Sequence, residues 1–540
     1  MKIEKHFTAL PLFAHWFILQ LPIGLCCAEN KKIKIEMENP LTLTQENLSI
    51  ISDRIPCPKY DRAKLTMGLV HIGVGGFHRA HQAYYTHQLI EKFNGSDWGI
   101  CGVGLRKADQ KIHDVLQKQD GLYTLIVKHP DGTIAPQVMG SIIDFQLAVN
   151  SPSSVILRLA SEETKIVSLT ITEGGYNFKP SSGEFDFANP DIQHELEHPD
   201  NPKTVYGFLT ASLKKRRDAG LRAFTVLSCD NIQHNGDMAR EMLLAFAQAQ
   251  DRELAKWIEE EVCFPNSMVD RITPVTTQAD IDYLENTYQI KDEWPVTCEP
   301  FIQWVVEDKF SNGRPEFEKV GVQFVPDVKP YEKMKLRLLN AGHSVLGILG
   351  AIHGYPTINA CIEDHTFRTF LRAYMDREAT PTLDELQGID LAAYKDSLQE
   401  RFANPNIKDS VSRICSESSA KLPKFLIETL NENLSSNGSI QFAALVIAAW
   451  CYYSDKGVDR NGDALEIIDV MEGELHQAAV QTKEDPLSFI KLKSIFGDLS
   501  GNQRFAQVYT FLIQTIYREG GVFNLMQNML NSGFENRDKN

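Results

Sequence analysis

Residues 67–93, MGLVHIGVGGFHRAHQAYYTHQLIEKF, limit the fold more than any other stretch. Leu69 to Ile72 is a short apolar run that reads as a buried strand. Gly73, Gly75 and Gly76 follow as a tight turn, and a helical pattern continues through Leu89. Strand, glycine turn and helix in that order open a dinucleotide-binding βαβ unit, whose glycines let backbone approach a pyrophosphate near unpaired helix N–H groups. The third position of GxGxxG holds His78, so a plain strand–helix connection is the alternative.

The next 160 residues supply partners for such a unit. Ile100–Leu105 reads as a second strand, followed by Arg106, Lys107 and Asp109. An acid there can bind the adenosine ribose of NAD, whereas Arg106 and Lys107 can hold the 2′-phosphate of NADP. Further strands are expected at Tyr123–Val127, Lys165–Thr172 and Phe224–Ser228, with helices at Lys203–Arg217 and Asp237–Gln250. Buried strands alternating with helices predict a doubly wound sheet. Two of these strands run into polar turns, TEGGYN with Glu173 and SCDNIQHNG with Asn231. Such folds bind ligands at that edge.

From about Pro330 the pattern becomes helical: Tyr331–Ile352, Thr366–Met375, Asp390–Phe402, Leu422–Asn433, Ile440–Tyr453, Ala464–Ala479 and Arg504–Tyr517. The expected organisation is a leader at 1–36, a Rossmann-like domain at 41–324 and a mostly α-helical domain at 325–540. The first of these helices carries YEKMKLRLLNAGHS. With Lys335 at zero and about 100° per residue, Glu332, His343 and Asn340 fall near 60°, 80° and 140°. Leu336 and Leu339 share that arc, while Met334, Leu338 and Val345 face a core. A partly polar arc is also what many surface helices show.

The chain has 540 residues and a formal net charge of −16, which excludes a basic nucleic-acid-binding surface but not small anions. Its ten cysteines form no CxxC pair or zinc-ligand spacing, so no metal is expected. Residues 1–36 are either a secretory-like signal or an over-extended start before Met37. The run is too short and interrupted for a membrane span. A cytoplasmic protein is expected, with export as the alternative.

HIGVGGFHRAHQAYY, SLTITEGGYN, SCDNIQHNG, FPNSMVDRITP, CEPFIQWVVEDKF and K-x4-N-x2-H, in that order, resemble the mannitol dehydrogenase family of polyol-specific long-chain dehydrogenases and reductases. The wording is nearest its mannitol-oxidising branch. In that family the glycine turn is naturally followed by FHRAHQ, so Phe77, His78 and Arg79 join the cofactor-binding set with Glu173. The resemblance implies an NAD-linked, zinc-independent oxidation of a secondary alcohol, D-mannitol to D-fructose being the expected pair. Hexuronate reduction (fructuronate or tagaturonate) and oxidation of arabinitol or sorbitol are the alternatives. It further implies Lys335 as general base and Asn231 and Asn340 as amides at the reacting oxygen. His343 would orient substrate, Glu332 would pass the proton to water, and Asp270 would lie near substrate and lysine. Arg413 and Lys421 would line the polyol pocket. Partners would be a small polyol or ketose only, on a monomer. The segment reads NAGH where relatives commonly have glycine then serine, which leaves substrate identity more open than reaction type.

Overall fold

The computed structural model describes residues 39–179, 182–386, 388–519 and 521–531. The leader at 1–36 and the tail from Gly533 lie outside them. Five short strands form the central sheet: β1 (Leu69–Ile72), β2 (Ile100–Gly104), β3 (Ile142–Leu147), β4 (Ile166–Leu169) and β5 (Thr225–Ser228), all buried except the half-buried edge strand β3. Their order is β3-β2-β1-β4-β5, every neighbouring pair parallel. Leu69 sits opposite Ile100 on one side and Ile166 on the other. The chain reverses direction across the sheet at β1, so a crevice opens beyond the carboxyl ends of β1 and β4. Helices Pro152–Ala160, Val205–Asp218 and Asn235–Gln250 cover the sheet, their apolar faces packing on Val70, Val103, Val167 and Val226.

The expected strand at Tyr123 exists but lies outside this sheet. Tyr123–Lys128 turns back at Gly132 (φ 91°) and pairs antiparallel with Ile134–Met139. Its other edge pairs parallel with Val296–Cys298, so neither edge is left for the central sheet. The third place in the sheet falls instead to Ile142–Leu147, whose acid and amide hid it. A third small sheet, Gln323–Val325, Gln303–Glu307 and Ser267–Asp270, carries the MVDR segment toward the crevice.

The helix expected to run unbroken from the glycine turn is two pieces, Gly76–Ala80 and Gln82–Phe93. The break is at His81, whose φ and ψ of −119° and −89° lie outside the helical region. Its Nε2 is bound to the carbonyl of Gln303.

The helical half packs around Gln441–Lys456, nearly all of it buried. The segment expected as one helix over 331–352 is three: Lys329–Lys335, a π-helical turn at Leu336–Asn340, and Ala341–His353. The wider turn rotates everything after it, so Asn340 and His343 leave their ideal α-helical angles. Leu422–Asn433 is likewise interrupted by a π turn at Pro423–Ile427, where proline lacks the N–H. The helix expected from Ala464 begins only at Glu472. Asp469 takes the N–H groups of Ser419 and Met471, holding the preceding residues in a non-helical link. The Rossmann-type and helical parts belong to one compact unit starting at Pro40.

Candidate active site

The glycine turn is the first component. Gly73 has φ 96°, and a Cβ there would lie 2.1 Å from the carbonyl oxygen of Thr170, so only glycine lets β1 and β4 stay adjacent. At Gly75 and Gly76 the constraint differs. An added Cβ there would meet its nearest atoms at 3.9 and 3.7 Å, ordinary van der Waals contact, so the fold itself tolerates a methyl at both positions. Beyond it a cleft of about 410 Å³ runs past Ile72, Gly73, Leu105, Arg106 and Asp109. This open cradle at the carboxyl ends of β1 and β2 fits a dinucleotide.

Asp109 lies on this cleft, its carboxylate bound to the N–H (2.9 Å) and guanidinium (3.2 Å) of Arg106. His78 and Arg79, expected at the cofactor, point into the fold instead. His78 is 1% exposed and stacked 3.5 Å from His71. Arg79 donates to the carbonyl of Trp294 at 2.6 Å. Their place is under the turn, where they brace it. Phe77 stays at the surface of the catalytic cleft and packs on His81.

The second component is a cleft of about 450 Å³, continuous in its lining with the TEGG and SCDN turns. Asn231, Asp270, Lys335, Asn340 and His343 all line it, as do Glu173 and Phe77. The Lys335 side chain is buried, with Nζ 2.5 Å from Asn231 Oδ1 and 2.8 Å from the Val269 carbonyl. The lysine donates an N–H to the amide oxygen of Asn231, so the amide NH₂ faces away. Burial lowers the lysine's proton affinity below the ordinary range. Asp270 and Glu332 oppose that shift, and Arg401 assists it.

Glu332 faces a separate cavity of about 20 Å³ behind the lysine, lined also by Asn231, Gln233 and Ser267, with room for about one water. Its carboxyl is pushed up to about 7, chiefly by burial, against the N–H of His234 at 3.3 Å. His343 is neutral at pH 7, burial holding it down at about 4. Its Nε2 is buried without a hydrogen-bond partner; the nearest acid, Asp409, is 3.9 Å away.

Arg413 and Lys421 do not reach this cleft. Arg413 is 62% exposed and paired with Asp409, which separates it from His343. Lys421 donates to the carbonyl of Ile414 at 3.3 Å. Glu173 sits at the rim in an ion pair with Lys424 at 3.1 Å, both half exposed.

Two further acids and one arginine complete the site, and the sequence reading passed over all three. Asp230 accepts the N–H groups of Ile171 (3.0 Å) and Thr172 (2.8 Å) and the hydroxyl of Tyr176. It thereby holds Thr172 at φ 61°, a costly region for a β-branched residue. Arg401 holds Asp270 and Glu299 together in the interior. Asp230 and Glu299 stood inside quoted motifs, SCDN and CEPF. Arg401 lay in a segment that reads as a surface helix.

A glycine turn on a parallel sheet, beside a cleft in which a buried lysine is bound to one carboxamide and a second shares the lining, defines a dinucleotide-linked oxidoreductase acting on a CH–OH group. The family model for the mannitol dehydrogenase Rossmann domain matches residues 67–319, and that for the mannitol dehydrogenase C-terminal domain matches 327–517. The chain belongs to the mannitol dehydrogenase family. It is 44% identical over 492 residues to a mannitol 2-dehydrogenase of Neosartorya fischeri, covering 89% of this chain and 98% of that one. For a mannitol 2-dehydrogenase of Pyricularia oryzae the values are 45% over 473 residues, 86% and 94%. The solved Pseudomonas fluorescens mannitol 2-dehydrogenase, a ternary complex with NAD and D-mannitol, is 45% identical with a TM-score of 0.80, covering 91% of this chain and 99% of that one. A substrate-free D-sorbitol dehydrogenase is 37% identical with a TM-score of 0.84, covering 90% and 100%.

Proposed function

We propose that this NAD-dependent polyol dehydrogenase interconverts D-mannitol and D-fructose, with Lys335 as the general acid–base. The observation that carries this reading is the hydrogen bonding of Lys335. An uncharged amine has two N–H bonds and one lone pair. Asn231 Oδ1 and the Val269 carbonyl take the two N–H bonds. The lone pair is then left for the hydroxyl proton of the substrate. The amide NH₂ groups of Asn231 and Asn340 stabilise the oxygen as it gains charge, a role amides fill without titrating. His343 Nε2, buried and unpartnered, gains a sugar hydroxyl. Gly73, Gly75, Gly76 and Phe77 would hold NAD, with Asp109 at the ribose; when bound, NAD supplies the hydride acceptor. Glu332, ionising near neutrality beside room for one water, returns the proton from Lys335 to solvent.

A neutral polyol fits better than a hexuronate. The cationic side chains lining the cleft are Lys335 and Arg271, and Arg271 is already bound to the carbonyls of Ala80 and Glu299. Among the described residues lining the cleft, no cation other than Lys335 and this carbonyl-bound arginine faces the substrate space. The use of NAD, a cytoplasmic metabolite, supports a cytoplasmic location over export.

The test is steady-state NADH formation from mannitol, sorbitol and arabinitol, with the reverse assay on fructose and fructuronate. Mannitol and fructose are expected to lead in kcat/KM. A preference for the uronate by orders of magnitude overturns the substrate assignment. Turnover that survives Lys335→Ala overturns the lysine base.

A further inference from the structure

Arg401 sits on helix Leu391–Phe402 of the helical part, yet its guanidinium is committed wholly to two acids of the Rossmann-type part. It meets both oxygens of Asp270 at 2.8 and 2.9 Å and both oxygens of Glu299 at 2.9 Å. All three are interior, with exposures of 7, 3 and 1%. The guanidinium lies 3.9 Å over the ring of Phe301, which closes one face to water. Glu299 also takes the N–H of Ile272 at 2.6 Å, fixing it as a carboxylate acceptor. Asp270 follows Val269, whose carbonyl holds Lys335.

Within this trio two carboxylates share one guanidinium, which leaves one net negative charge beside the catalytic amine; Arg271, buried and bound to the Glu299 carbonyl, is the other cation that faces it. A protonated Lys335 is favoured by that negative charge, and each change in the trio's charge alters how readily its proton leaves. Resting on the lysine-base reading, we propose that Arg401 and Glu299 are positioning residues that set the proton affinity of Lys335 through Asp270. Arg401 withholds Asp270 from the lysine, and Glu299 divides the guanidinium between two acids, so that neither partner alone decides whether the amine is free. The directions agree: Asp270 is held below the ordinary carboxylate range because, although burial opposes it, Arg401 and Lys335 prevail. Glu299 is pushed up by burial. Other charged or titratable groups facing this assembly are Arg271 just after the strand, His81 at the helix break, Glu332 and His343 on the lysine's own segment, and Tyr394 against Arg401. None of them bridges Asp270 and Glu299.

The proposal predicts shifts of opposite sign. Glu299→Gln keeps the shape and one accepting oxygen for Ile272 and Arg401, and removes both a negative charge and the second acceptor. The ionisation assigned to Lys335 in the pH profile of kcat/KM then moves down by about half to one unit. Below that ionisation, activity at fixed pH rises about three- to tenfold. Arg401→Gln leaves two acids unmatched and moves the same ionisation up, lowering activity at neutral pH by about tenfold or more. Because loss of a buried guanidinium destabilises the fold, Arg401→Lys is the companion variant; it keeps the charge with fewer contacts and restores the profile toward wild type. Profiles that fall in height without moving, or that move in the same direction for Glu299→Gln and Arg401→Gln, overturn the proposal. Lys335→Ala separates the two readings. If it is inactive and the profiles stay still, the charge-setting role fails and the lysine base stands. If it is active, the base itself fails.

Discussion

The two walls of the catalytic cleft use their residues in contrasting ways. On the Rossmann wall the turn over Gly73–Gly76 contributes backbone without side-chain bulk, at the edge of the neighbouring cleft that Gly73 and Asp109 line. On the helical wall Lys335, Asn340 and His343 contribute side chains, held in place by burial and by partners from the opposite wall. The first wall depends on residue size and backbone angle. The second depends on how buried charges balance, so its function responds to pH and to substitutions some distance from substrate.

The contrast is tested most strongly across the cleft, at Asn340 of the helical wall and Asn231 of the facing SCDN turn. Asn231→Ala and Asn340→Ala each remove an amide donor from the reacting oxygen, with an expected loss in kcat of about 10²–10³. Asn231→Ala also frees one hydrogen of Lys335, so its pH profile shifts while that of Asn340→Ala keeps its shape. Equal profiles would blur the distinction between a residue that touches the lysine and one that does not.

On the Rossmann wall, Gly75→Ala and Gly76→Ala are expected to leave the melting temperature nearly unchanged and weaken NAD binding about tenfold, because the added methyl fills only the cradle. Gly73→Ala is expected to destabilise the fold by about 2–4 kcal/mol, since its Cβ meets the Thr170 carbonyl. Isothermal titration of NAD and thermal denaturation read the two effects separately. If Gly75→Ala unfolds the protein, the space above the turn is not a ligand cradle.

Glu332 lies between these extremes. Its folded ionisation near 7 stands above its ordinary 4.5. The folded state therefore binds the proton more tightly than the unfolded chain. The stabilisation is complete below about 4.5 and is lost as pH rises through about 7. Glu332→Gln should remove that pH-dependent decline in denaturant unfolding, along with the ionisation near 7 in proton release. The smallest effect is expected at the rim. Lys424→Ala breaks the half-exposed pair with Glu173 and should change kcat/KM by about twofold at most, less at high salt.

This contrast also governs what could be read from residues alone. The strand, glycine turn and following helix at 69–93 are local, so the central fold and the cofactor edge were legible there. Strand Ile142–Leu147 was not, because its acid and amide broke the apolar pattern and its identity depends on pairing with Ile100–Gly104. Lys335, Asn340 and His343 stood out as a spaced group, but the π turn that rotates them has no simple residue code. His78 and Arg79 carried a motif and were placed at the ligand, yet they serve the turn from below. Arg401 has its partners 102 and 131 residues away, and no local pattern records such a contact.

The central claim is that Lys335 gives up its proton far more readily than an ordinary lysine. Selective ¹⁵Nζ lysine labelling, with Lys335→Arg to assign the resonance, allows the amine to be titrated directly by NMR. An ionisation well below the ordinary value of 10.5 is expected, lower still in Glu299→Gln. A Lys335 that titrates at 10.5 or above would contradict a neutral amine as the base.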